Sequence, residues 1–406
     1  MTMPMQPTSL LQIFLTFLQL GCTAFGGPAA HLVFFHRKMV QQLGWLDDAQ
    51  YQQLIALAQL LPGPSSSQVG IGIGYMQRGY MGSLVAWLGF TLPSALLMSL
   101  VAVLGQRYFH ILNSHSFHVI QLIVFAVVSW AFWQMLRSFC KSWWQFALML
   151  ASAVFLAFVP LSFNQILVIV LAGLLSIAMS KYSNKATSTS GQSATIHLHL
   201  PSVYKKHAIY WGIAFLVIFL AIPVLIHTFG WTKLRFFADF YQTGSLVFGG
   251  GHVVLPLLHQ DFVSTHMITA QAFDLGYAFA QLMPGPLFSF ATYLGALLNW
   301  TDQLWLNALL ATIAIFLPSF LLMFATLPYW SWLMQQAVIR QAVMGINAAV
   351  VGLLLYLVFE LGHSYLVRWE DFAFVILMII FLRSQLPLWL SLMAGFALYT
   401  SYLSFF

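Results

Sequence analysis

Charge is what this sequence most lacks. Only 6% of its 406 residues are Asp, Glu, Lys or Arg, while 61% are hydrophobic and 16% aromatic. A soluble domain carries about 25% charged residues, so this chain cannot clothe a globule with polar surface, and lipid is its expected solvent. Cysteine is nearly absent too. Cys22 and Cys140 both fall in apolar stretches, where thiols pack as small hydrophobes rather than pair. Residues 1–9 lack a basic run, so the first apolar stretch reads as a retained helix rather than a cleaved signal. There is no Walker loop, dinucleotide fingerprint or Gly-x-Ser-x-Gly elbow. ATP-driven pumping by this chain alone is therefore not expected, and neither is a cofactor. His197, His199 and His207 have no Cys or acidic companion, which argues against a metal site.

What is there is apolar and continuous. A spanning helix needs about 20 mostly apolar residues, and the long runs do not alternate with period two, which favours helices over a barrel. The expected fold is an all-α polytopic membrane protein with about thirteen membrane segments. They lie near 9–24, 51–76, 80–104, 117–139, 143–160, 161–180, 208–229, 233–258, 271–298, 303–327, 335–359, 370–384 and 386–404. The formal charge of +6 sits mostly in short loops, the usual cytoplasmic bias of membrane proteins and not a nucleic-acid groove. Residues 181–206 are rich in Ser and Thr with four lysines, and read as a polar linker on the cytoplasmic side. The division that follows is a first repeat over 1–180, the linker over 181–206, a connecting membrane helix over 207–230 and a second repeat over 231–406. The expected location is the inner (plasma) membrane, with a homodimer as the candidate assembly.

Three motifs carry the repeat, in one order and at a nearly constant offset. Phe25-Gly26-Gly27 returns as Phe248-Gly249-Gly250, and Ala58-Gln59-Leu60-Leu61-Pro62-Gly63-Pro64 as Ala280-Gln281-Leu282-Met283-Pro284-Gly285-Pro286. Leu92-Pro93-Ser94 returns as Leu317-Pro318-Ser319. An odd number of spans separates the two Pro-Gly-Pro segments, so the second half should be inverted, an arrangement that suits alternating access.

Pro-Gly-Pro within an apolar segment should break its helix, because proline removes a donor and clashes with the preceding turn. Such breaks are tolerated in lipid where they are buried in protein or line a cavity. Ser65, Ser66 and Ser67 then supply hydroxyls and free amides at a new helix start, with Ser289 in the second half. A helix N-terminus carries about half a positive charge and suits an anion without a formal cation. Gly26-Gly27-Pro28 and Gly249-Gly250-Gly251 offer two further starts, so four broken ends could converge on one oxyanion. His31 and His252 follow the glycine motifs and are further candidates. Arg37 lies in a basic loop, and Arg340 lies in an apolar run, where it either faces the interior as an anion ligand or marks a helix end. Asp261 and Asp274 are the candidate proton-coupling carboxylates.

Phe25-Gly-Gly-Pro-Ala-Ala-His31, Trp45-Leu46-Asp47, Gln59-Leu-Leu-Pro-Gly-Pro64 and Phe90-Thr-Leu-Pro93 resemble the N-terminal domain of the chromate ion transporter family. Phe248-Gly-Gly-Gly-His-Val-Val-Leu-Pro-Leu-Leu258, Gln281-Leu-Met-Pro-Gly-Pro-Leu-Phe288 and Gly345-Ile-Asn-Ala-Ala-Val-Val-Gly352 resemble its C-terminal domain. The resemblance covers both halves and implies the long two-domain form. It also implies chromate efflux from the cytoplasm with chromate resistance, sulfate as a related anion, and a proton or counter-anion as coupling partner. It adds Gln59, Gln281 and Asn347 to the site candidates. One departure stands out: where the family pattern often carries an acidic residue after the first His, this chain has His36-Arg37-Lys38. A different tetrahedral oxyanion is the nearest rival substrate. A membrane enzyme or non-transporting scaffold is the rival of another class, but the repeated motifs hold no nucleophile–base pair, and a scaffold gains nothing from matched helix breaks.

Overall fold

The computed structural model describes residues 8–108, 114–159, 164–182, 205–231, 234–248, 250–384 and 386–405. Residues 183–204 of the expected linker, with His197 and His199, and Gly249 of the second glycine motif lie outside them. The described residues are helical throughout their ordered elements, without a strand. The chain is an all-α multi-pass membrane protein. Five helices are long and apolar enough to span: Ser65–Tyr108, Ser114–Phe139, His207–Phe229, Leu304–Tyr329 and Ala337–Tyr365.

The first half runs α1 (Leu10–Thr23), α2 (Gly27–Phe35, prolonged by a π-helical stretch His36–Gln42), α3 (Asp48–Leu60) and α4 (Ser65–Tyr108). It continues through α5 (Ser114–Phe139), α6 (Trp143–Phe158) and α7 (Asn164–Tyr182). The long α4 is not one rod. Arg78 (φ −146°) and Gly79 (φ +60°) turn it back on itself, so residues 65–77 and 80–108 form two antiparallel limbs. Ser83 Oγ donates across the bend to the Ile71 carbonyl at 2.9 Å.

The second half repeats this order after the connecting helix α8 (Lys205–Phe229). Its members are α9 (Arg235–Leu246), a 3₁₀ turn (Gly251–Val253) leading into α10 (Val254–Leu258) with its π-helical extension His259–Val263, and α11 (Ala270–Leu282). A 3₁₀ turn at Leu287–Ser289 opens α12 (Phe290–Leu297), and α13 (Leu304–Thr326) follows. After the short α14 (Trp330–Gln335) come α15 (Ala337–Tyr365), α16 (Trp369–Arg383) and α17 (Leu388–Phe405). Even the caps match. Asp47 accepts from the Gln50 N–H at the start of α3, and Thr269 accepts from the Ala272 N–H at the start of α11, each satisfying an otherwise orphaned donor.

Helix seams without a hydrophobic drive rely on small residues and close backbone approach. A methyl group at Gly21 of α1 would stand 2.6 Å from the Phe90 carbonyl oxygen of α4. Its counterpart Gly244 on α9 lies just as tightly against the Ile315 carbonyl of α13. The same seam is thus built twice. Around it, α15 is the central pillar, packed on α5, α6 and α7. Leu216, Leu220 and Val224 of α8 point outward, which suits a helix bathed in lipid.

Candidate functional site

Both Pro-Gly-Pro sequences break their helices. Helix α3 ends at Leu60 and α4 begins at Ser65, while α11 ends at Leu282 and the next turn begins at Leu287. The glycine between the prolines takes a left-handed angle in each copy, φ +122° at Gly63 and +94° at Gly285, which a side chain would resist. In each triad the glycine holds the amide that points away from its own helix. Gly63 N–H donates to the Val247 carbonyl at 2.7 Å, and Gly285 N–H donates to the Ala24 carbonyl at 3.0 Å. Val247 and Ala24 are the residues at which α9 and α1 stop. Each Pro-Gly-Pro break is therefore stitched to the glycine break of the other half. A Cβ on Gly251 would meet Pro28 at 3.4 Å, so the two glycine breaks also touch, and all four broken ends meet in one place.

Serines from the Leu-Pro-Ser motifs cross in the same way. A Cβ on Gly285 would lie 2.9 Å from Ser94 Oγ, and one on Gly63 would lie 2.5 Å from Ser319 Oγ. Ser94 Oγ donates to the Thr91 carbonyl at 3.0 Å, leaving Ser289 to donate to Ser94 at 2.6 Å. Ser67 and Ser319, their counterparts, have no hydrogen-bond partner although they are 3% and 0% exposed. Gln68 donates its amide to the Pro62 carbonyl at 2.6 Å, bracing the break from within.

The histidines join the breaks to their neighbours. His31 is buried in α2, with Nδ1 3.3 Å from Ser66 Oγ and its ring edge-on to Phe90. His252 lies 3.0 Å from the Tyr277 hydroxyl and 3.4 Å from the Gln281 amide, through Nδ1 in both contacts. Pro62 is half-buried, Pro64, Pro284 and Pro286 are buried, Ser65 is half-buried, and Gly26, Gly27 and Gly250 all take positive φ at the glycine breaks. Three candidates stand apart. Arg37 is exposed on the π-helical extension of α2, Gln59 is exposed on α3, and Arg340 is exposed in the first turns of α15, the helix-end placement of its two readings. Asn347 is 8% exposed, and its Oδ1 has no partner.

The two coupling candidates lie in different surroundings. Asp274 is buried in α11, where Oδ2 accepts from the Tyr365 hydroxyl of α15 at 2.6 Å. Asp261 accepts from Thr243 Oγ1 at 3.1 Å and lines a cavity of about 840 Å³ shared by α8, α9, α15 and the π-helical stretch after α10. Asp239, His259, Glu360 and Arg235 line the same cavity. Arg235 Nε stands 3.8 Å from Asp239, and His259 Nδ1 stands 4.0 Å from Glu360. Asp239, Glu360 and His259 escape a reading of the sequence because three elements distant along the chain bring them together. Ser94 and Ser319 carry a signal, the repeated Leu-Pro-Ser, but nothing local says that each crosses to the other half.

Residues 11–177 and 234–399 each match the family described as chromate transporter. The chain belongs to the chromate transporter family. Two successive matches fill both halves, in register with the duplicated helices, and the chain is a transporter rather than an enzyme. It is 27% identical over 377 residues to an uncharacterized transporter of Methanocaldococcus jannaschii, covering 92% of this chain and 89% of that one. A probable chromate transport protein of Synechococcus elongatus is 27% identical, over 88% of this chain and 86% of that one. A chromate transport protein of Pseudomonas aeruginosa is 25% identical, over 86% and 80% respectively. No solved structure matches.

Proposed function

We propose that this chain exports a tetrahedral oxyanion, chromate, from the cytoplasm by alternating access around the crossed helix breaks. The observation that carries this reading is the reciprocal stitching of Gly63 to Val247 and Gly285 to Ala24. Residue-for-residue reciprocity is what a two-fold relation between surfaces produces, and an in-plane pseudo-two-fold is the arrangement of inverted-repeat transporters. The helix starts that the breaks create offer N–H groups and dipole charge, which hold an anion without a lysine or arginine. The relatives named for chromate transport support chromate as the substrate, and sulfate, a tetrahedral dianion too, is the competitor to test.

Energy favours the outward direction. A dianion leaving a negative-inside cell gains about 4.6 kcal/mol per 100 mV, twice the value for a single charge, enough for roughly a thousandfold gradient. The cavity holding Asp261, Asp239 and Glu360 is where a proton would couple, since it gathers three carboxyl groups around a single arginine. Inside-out membrane vesicles containing the protein should accumulate labelled chromate, and excess sulfate should compete. Uptake no greater than in empty vesicles, with or without an imposed potential, would sink the reading. Asp261→Asn should preserve chromate exchange at equilibrium but reduce accumulation driven by a pH gradient severalfold. Unchanged gradient-driven accumulation would remove Asp261 from coupling.

A further inference from the structure

The duplicated architecture should produce two equivalent anion positions, one at each Pro-Gly-Pro break. The side chains there are not equivalent. At the Gly285 break the serines satisfy one another: Ser289 donates to Ser94, and Ser94 donates to its own helix at Thr91. At the Gly63 break the corresponding serines are Ser67, four residues after the glycine, and Ser319 of the opposing Leu-Pro-Ser motif. Neither finds any partner, and Ser319 lacks even the local bond to its own helix that Ser94 makes. Buried hydroxyls are normally hydrogen-bonded, and helical serines ordinarily bond back to the preceding turn. Two unsatisfied hydroxyls at one break, against a satisfied pair at its copy, therefore need a reason.

The local backbone supplies part of it. Helix α4 starts directly at Ser65 and runs as α-helix, whereas the second copy opens with a 3₁₀ turn over Leu287–Ser289 that brings Ser289 against Ser94. At the first break Ser67 stays in the opening turn of α4, whose first amides have no helical acceptor. Ser319 Oγ sits where a Cβ on Gly63 would be 2.5 Å away, so it is aimed at the break from the other half.

We propose that the two breaks have divided their roles. The Gly63 break is the oxyanion subsite, with Ser67 and the first turn of α4 donating from one side and Ser319 from the other. The Gly285 break is a clasp, in which the Ser94–Ser289 bond holds the halves together without a ligand. An oxyanion accepting from both hydroxyls satisfies them together and bridges the halves only while it is bound. This assignment rests on the reading of the chain as an oxyanion carrier.

The test uses the full-length protein in proteoliposomes and labelled chromate. Ser67→Ala and Ser319→Ala should each raise the half-saturating chromate concentration about tenfold or more, the loss expected for a hydrogen bond to a charged group. Both should leave the melting temperature of the ligand-free protein unchanged or raised, because each removes an unsatisfied polar group. Ser94→Ala should do the reverse, lowering the melting temperature while half-saturation stays within about threefold. Wild-type half-saturation in Ser67→Ala and Ser319→Ala overturns the subsite. A melting temperature lowered by either also overturns it, since the hydroxyl would then already have been satisfied. If wild-type protein carries no chromate, the broader reading of the function fails instead.

Discussion

Gly63 and Gly285 show how much one hydrogen atom can decide. Each has a left-handed backbone angle and the opposing serine hydroxyl within 2.9 Å of where a methyl would stand. Alanine there adds backbone strain of about 1–3 kcal/mol and pushes the serine away. We expect Gly63→Ala and Gly285→Ala to lower stability in detergent by that order and to reduce chromate flux at least tenfold. Gly27, φ +78° with open space around it, should tolerate alanine at the cost of strain alone, and flux in Gly27→Ala should fall less than in Gly63→Ala. Tyr365→Phe removes the hydroxyl that serves the buried Asp274, which should cost about 1–3 kcal/mol in thermal unfolding. The glycines and prolines were legible from the sequence because they punctuate apolar runs whatever surrounds them. Arg340 was legible only as an oddity. Hydropathy shows a charge in an apolar stretch, but α15 starts at Ala337, and only that start makes Arg340 a helix-end residue.

At the scale of elements, apolar runs predicted where helices lie better than how many pieces they form. The run read over 51–76 contains the second part of α3, a break and the first limb of α4; the run over 80–104 begins at a hairpin bend. Gln77-Arg78-Gly79 carries the polar signal that separates those two runs, but hydropathy does not say that the chain doubles back there into antiparallel limbs. Another element-level feature lies outside what apolar runs show. Asp371 accepts from the Val367 and Arg368 amides through Oδ2, and from Tyr399 and His118 through Oδ1, at 2.8 to 3.0 Å. It ties the start of α16 to α5 and α17, far from the helix breaks in the chain. Asp371→Ala should therefore cost about 3 kcal/mol or more, as loss of a buried charged acceptor does. Half-saturation for chromate in the surviving folded protein should be unchanged. A stable variant with weakened chromate binding would show that this corner of the bundle acts on the site.

At the scale of the molecule, the motifs recur in one order along the chain, and the family matches cover 11–177 and 234–399. What the order did not foretell is that the halves complete one another rather than stand side by side. Sequence repeats report likeness, whereas the contacts Gly63–Val247 and Gly285–Ala24 are between unlike motifs. Cutting the chain between Ser190 and Gly191 should leave two fragments that copurify when coexpressed and restore flux. Either fragment alone should aggregate. Independent, soluble-in-detergent fragments that ignore each other would contradict the crossed breaks.

The stitched breaks carry one more consequence, for ancestry and stoichiometry. A buried amide without an acceptor is strongly disfavoured, so a lone half has one dangling donor and one dangling acceptor at its centre. Two copies of such a half would saturate each other with the same pair of bonds. Fusing them through α8 enforces equal numbers, and it frees each copy to diverge. One break can then lose its affinity for cargo while the other retains it, a specialisation closed to a pair encoded by a single gene.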